Sequence, residues 1–238
     1  HRLQERMRPS GGTDPFEGNA QSFRIGTTLA SHDRTYLGLN LTRRTLDAIL
    51  KYPWQAISNA EAKWGAYESE TGDYKFAREG KQESRVPSLE AAIMDWADDI
   101  TYAVHDVEDL YRAGVAPMDR LRFDSEFRDE FSEWVHDRWR AKDKGVPLVD
   151  ISTALGQVTT LLPFTRPYEG TSQDRVRLRS YSSALIDRYI SRESSVKMEG
   201  TNWLLSISPD ARLEVDVLKE LTWRYMIEGP ALAAQQHG

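Results

Sequence analysis

The 238-residue sequence has no cysteine, which excludes a disulfide framework, a thiolate zinc site and a cysteine nucleophile, and is compatible with a reducing compartment. No apolar run reaches the roughly 18 residues of a membrane span. The first fifteen residues, HRLQERMRPSGGTDP, lack the apolar centre of a signal peptide, so the expectation is a cytoplasmic protein with no membrane partner. Positive charge is not in excess either: 31 Lys and Arg stand against 37 Asp and Glu, a formal charge of -6. That excludes a surface that coats nucleic acid in general but leaves room for a local basic pocket. A Walker-type glycine loop, HExxH and GxSxG are all missing, which removes the P-loop, zincin and α/β-hydrolase readings. The chain opens at His1 without a methionine and closes on ALAAQQHG, still helical in composition; the expectation is that one or both natural ends are missing.

What is present is a globular balance of 39% hydrophobic and 29% charged residues, enough to build a core, and the length is read as one domain. There is no internal repeat and no strand–helix alternation. After the loop SGGTDP, Asp14 and Pro15 open a helix expected over about 16–30. A second covers about 41–51 and ends before Pro53. The polar, aperiodic stretch 65–86 reads as an exposed insertion. Ser88 is the N-cap of the strongest helix, running to about Arg112 before Gly114. Its apolar positions Ile93, Ala97, Ile100, Val104, Val107 and Tyr111 step by four and three and predict one core stripe. Further helices are expected over about 125–141, 148–162, 172–192 and 209–227, with a short hairpin over 196–207. The fold class is therefore all-α with at most one β hairpin.

The strongest helix is also the most acidic part of the chain: Asp95, Asp98, Asp99, Asp106, Glu108 and Asp109 stand between residues 91 and 109 with no Lys or Arg among them. Like charges four apart oppose a helix by roughly 0.2–0.5 kcal/mol each, so something must compensate. Either the face is solvated or met by cations elsewhere in the fold, or one or two carboxylates hold a divalent cation such as Mg or Mn. Asp98, Tyr102 and Asp106 follow one another at steps of four and share a face. A carboxylate, a ring and a carboxylate in a row can hold a metal, stack on a sugar and accept a hydroxyl; the same row can be a tyrosine at the core edge between two solvated acids.

The blocks FEGNAQSFRI (16–25), GLNLTRRTLDAILKYPW (38–54) and MDWADDITYAVHDVEDLYRAG (94–114) resemble, in order, segments of the bacterial HD-domain deoxyguanosine triphosphate triphosphohydrolases, and RLRSYSSALIDRYI and LEVDVLKELTWRYMIEGPAL resemble the C-terminal half of that family. The resemblance implies a portion of an HD-domain-like helical bundle. It implies an enzyme that cleaves a dNTP, dGTP favoured, to deoxynucleoside and triphosphate with a divalent metal, Mg or Mn. It also implies a homo-oligomer, with a regulatory nucleotide or single-stranded DNA as further partners. On the D-x-x-x-Y-x-x-x-D pattern, Asp98 matches the distant metal aspartate, while Tyr102 and Asp106 match residues that pack on the deoxyribose and bond its 3′-hydroxyl. Asn19, Gln21, Arg179 and Tyr181 match, more loosely, positions near the nucleotide; Lys51, at a helix C-terminus, is a candidate contact for the triphosphate or else a partner of the helix dipole. In the family the first histidine and the His-Asp pair precede the FEGNAQ-like block; only His1 does so here, so the catalytic residues are expected upstream. The other reading is a noncatalytic nucleotide-binding or regulatory homologue lacking that metal site. Neither His32-Asp33, in a polar loop, nor His105-Asp106, in the acidic helix, is matched to the metal pair.

Overall fold

In the computed structural model, residues 15–30, 33–56, 62–200 and 202–228 are described. The chain falls into two compact units, His1–Trp96 and Ala97–Gly238. No composition shift marks the boundary, because it falls inside a continuous helix.

The first unit holds α1 (Gly18–Arg24, extended by a wider π-type turn, Ile25–Leu29), α2 (Arg43–Ala48) and α3 (Thr71–Ala77). Asp14 lies outside the described residues; the N-cap of α1 is Glu17, in extended backbone, whose carboxylate accepts the amides of Asn19 and Ala20. Phe23, Leu46, Leu50, Ala66, Tyr74 and Ala77 form one core cluster, and Ala20, Trp64 and Tyr67 a second. The stretch 65–86 is thus corrected from exposed insertion to folded structure. It supplies buried Ala66, Tyr67, Tyr74, Ala77 and Arg78. The Arg78 guanidinium donates to Asp47 and to the carbonyls of Lys81, Ser84 and Val86, which ties an aperiodic loop to the core without apolar periodicity.

The long helix α4 (Leu89–Ala113) starts in the first unit and continues in the second. Ser88 Oγ accepts the Ala91 amide as its cap, and Gly114, at φ 65°, ends it. Ile100, Val104, Val107 and Tyr111 are buried as the stripe predicts, but Ile93 is 42% exposed and Ala97 is exposed, with Ala91 and Trp96 buried instead. The buried positions shift where one unit gives way to the other, so one stripe does not describe the whole helix.

The second unit continues with α5 (Met118–Phe123), α6 (Ser125–Arg140), α7 (Leu148–Thr160) and α8 (Ser172–Asp187, then a π-type turn Arg188–Arg192). The antiparallel hairpin β1 (Ser194–Glu199) and β2 (Asn202–Ile207) follows, and then α9 (Pro209–Thr222, then a π-type turn Trp223–Ile227). α7 packs on both α6 and α9. Thr171 and Asp174 form a capping box at α8. Burial alone would raise the Asp174 carboxyl, but hydrogen bonds from Thr171 and Glu169 and the Arg166 charge outweigh it and hold it below the usual carboxylate range. Mostly helical architecture with one two-stranded hairpin is what the residue pattern predicts. Among the described residues no helix is long and apolar enough to cross a membrane.

Candidate functional site

The carboxylates of α4 divide by direction. Successive residues on a helix point about 100° apart, so Asp98 and Asp99, adjacent in sequence, look onto different surroundings. Asp99 accepts from Arg212 at 2.9 Å and from Lys219 Nζ. Those two cations stand seven apart on α9, two turns along one face. Asp95 meets Lys51 at 2.5 Å. Glu108 is buried, accepts the Ser182 hydroxyl and lies 3.5 Å from Arg112. Much of the surplus charge that disfavours this helix is therefore met by cations and hydroxyls from other segments and by Arg112 in its own last turn.

Asp98 and Tyr102 lie on the other side. Asp98 is exposed, and the Tyr102 ring is 57% exposed, too much for a ring that serves the core. Asp106, one turn further, is half-buried, and its Oδ2 accepts the Thr222 hydroxyl at 3.0 Å. That bond steers the carboxylate from α9 and leaves Oδ1 able to accept another hydroxyl. Chemically, the face offers a carboxylate, an accessible ring and an oriented second acceptor within two helical turns. Among the described residues, no three His, Asp or Glu side chains gather as a metal site requires. Asp98 suits a hard divalent cation as one oxygen ligand, but the described residues do not by themselves build a metal centre.

The remaining predicted residues are not on this face of α4. Asn19 Nδ2 donates to the Glu17 carboxylate at 2.9 Å as part of the α1 cap, and Gln21 is half-buried on the same helix. The Lys51 ammonium sits on Asp95. Arg179 is exposed on α8. Tyr181 is 3% exposed, with its ring edge-on to Phe164 at 5.4 Å; burial pushes its hydroxyl pKa far up, with the nearby Glu108 charge adding to it. His32 lies outside the described residues, while the Asp33 carboxylate accepts the amide and hydroxyl of Thr35 in a local turn. His105 is exposed, 3.8 Å from Glu108. Thr222, Arg212 and Lys219 were not read from the sequence as partners of α4. The signal was there in part: cations seven apart on one helix, in a chain whose other long helix has acids and no Lys or Arg between residues 91 and 109.

No protein-family model matches the chain. Curated proteins named deoxyguanosinetriphosphate triphosphohydrolase-like protein do. One from Streptomyces coelicolor is 32% identical over 228 residues, 90% of this chain and 53% of its own length. One from Corynebacterium efficiens is 33% identical over 240 residues, 93% of this chain and 55% of its own. A deoxyguanosinetriphosphate triphosphohydrolase-like protein 2 from Vibrio cholerae is 38% identical over 121 residues, half of this chain and 29% of its own. The chain spans about half the length of the curated relatives it matches first, and across that span it is similar to the deoxyguanosinetriphosphate triphosphohydrolase-like proteins.

Proposed function

We propose that this chain supplies the sugar-binding face and one metal-ligand aspartate of a dNTP triphosphohydrolase, an enzyme that releases inorganic triphosphate from a deoxynucleoside triphosphate, dGTP favoured. The observation that carries the reading is the divergence of Asp98 from Asp99. The family pattern selects Asp98, four residues before Tyr102, and it is Asp99 whose oxygens are committed to Arg212 and Lys219. A carboxylate bound to two cations is a poor ligand for a third, which speaks against Asp99; Asp98 is solvent-exposed.

In this reading the Tyr102 ring packs against the 2′ carbon and leaves no room for a ribose hydroxyl, and Asp106 Oδ1 accepts the 3′-hydroxyl hydrogen while Thr222 holds Oδ2. Mg or Mn is the cofactor the reading calls for, with Asp98 as its ligand in this chain and the other ligands expected from the histidine and His-Asp segments that precede these blocks in the family. A homo-oligomer, and control by a nucleotide or single-stranded DNA, belong to the same proposal.

The test is triphosphate release from dGTP, dATP, dCTP and dTTP with Mg or Mn, by the whole protein and its Asp98→Ala and Asp99→Ala variants. Release that depends on Asp98 and survives loss of Asp99 supports the reading. Nucleotide binding without release by the unaltered protein overturns it in favour of a noncatalytic homologue.

A further inference from the structure

The hairpin β1–β2 is an unusual surface for a helical protein. Every residue of β1 after Ser194 is exposed. The register pairs Met198 with Trp203 and Val196 with Leu205, and because side chains alternate across a strand, these four share one face. Met198 is 64%, Trp203 56% and Val196 45% exposed. A two-stranded hairpin alone is marginal in water, and an edge strand with accessible backbone is a template for pairing.

The backbone pattern says which groups that edge offers. The Ser208 amide donates to the Glu193 carbonyl at 2.8 Å, so the hydrogen-bonded pairs of the ladder fall on the odd residues of β1. The turn at Gly200, at φ 60°, closes it after Glu199. The N–H and C=O groups of Val196 and Met198 consequently point away from β2, toward the outer edge.

We infer that this edge pairs with the same edge of a second copy, antiparallel about a two-fold axis at Met198, joining the two hairpins into one four-stranded sheet. The charges select that register. With Met198 opposite itself, Lys197 stands opposite Glu199 of the second copy and Glu199 opposite its Lys197, in the closer, non-hydrogen-bonded pairs. A shift of the axis to Val196 sets Lys197 against Ser195, and one to Lys197 sets two lysines together. On the apolar face the same register builds a continuous row, Trp203, Met198, then Met198 and Trp203 of the second copy, which covers the most exposed side chains of that face. Lys197 and Glu199 face Leu204 and Asn202 within their own hairpin, so the hairpin itself does not need their charges. The contact is isologous and small, so it forms in a concentration-dependent way. It stands independently of the reading of α4.

The experiment is cross-linking in the whole protein carrying Met198→Cys, in a chain region that has no cysteine of its own. Paired Cα atoms of such a register lie about 5.5 Å apart, within disulfide range. The expected result is a dimer linked through position 198 on mild oxidation. Adding K197E, which sets two acids opposite each other, lowers the yield about tenfold, and adding E199K does the same with two bases. Mixing the two charge variants restores the yield, because each then meets the opposite sign. Restoration on mixing also excludes misfolding as the cause of the single losses. Absence of the link in the M198C protein, or a link indifferent to both charge changes, overturns the inference.

Discussion

The face of α4 that holds Asp99 turns its carboxylate onto two cations of α9, whereas the face that holds Asp98 and Tyr102, about 100° away, leaves a carboxylate and a ring exposed. The two aspartates are identical in type and adjacent in sequence, so the difference comes wholly from what the fold brings opposite each. One is part of what holds the unit together. The other is held out by a helix that is anchored through its neighbours, and a side chain fixed in that way reaches a ligand without the helix having to move.

The sharpest way to break this contrast is to remove each acid in turn. Asp98→Ala is expected to reduce metal-dependent triphosphate release by the whole protein on the order of 100-fold or more, with the thermal midpoint lowered less than by loss of Asp99. Asp99→Ala is expected to do the reverse: it leaves Arg212 and Lys219 side by side without their anion and costs about 1–3 kcal/mol of stability, seen as a lower denaturation midpoint, while turnover of the folded fraction persists. Equal loss of turnover from both would mean that the helix register assigned to the site is wrong.

How much of this was legible in the sequence follows from how local each signal is. Ser88 as a cap, Gly114 as a stop, the last helix from Pro209 and the hairpin after α8 are all set by neighbours within a few residues, and the structure has each of them. The stretch 65–86 was misread because its burial depends on distant partners. Arg78 is buried by hydrogen bonds to Asp47 and three loop carbonyls, and no periodicity announces a guanidinium in a core. The exposed Ile93 and Ala97 have the same origin, since the stripe on α4 is periodic but the surroundings change along it. At the candidate site, the spacing of Asp98, Tyr102 and Asp106 was readable, whereas the cations on Asp99 and the Thr222 hydroxyl on Asp106 come from more than 110 residues away.

Tyr102 tests the exposed face by selectivity. If the accessible ring is the wall that excludes a 2′-hydroxyl, Tyr102→Ala lowers the preference for dGTP over GTP, taken as the ratio of kcat/KM values, by about tenfold. A ring more than half exposed has little core to lose, so the midpoint of denaturation stays close to that of the parent protein. A drop in stability with the preference intact would return Tyr102 to a structural role.

Lys51 gives the smallest effect and bears on the paired acids. Its ammonium lies 2.5 Å from Asp95, and both side chains are partly exposed, so the pair is screened by water and contributes little. Lys51→Ala is expected to lower stability by about 0.5 kcal/mol and to leave KM for dGTP unchanged, which would make Lys51 the counterion of Asp95 as Arg212 and Lys219 are of Asp99. A several-fold rise in KM at unchanged stability would instead assign the ammonium to the triphosphate and make Asp95 the group that positions it.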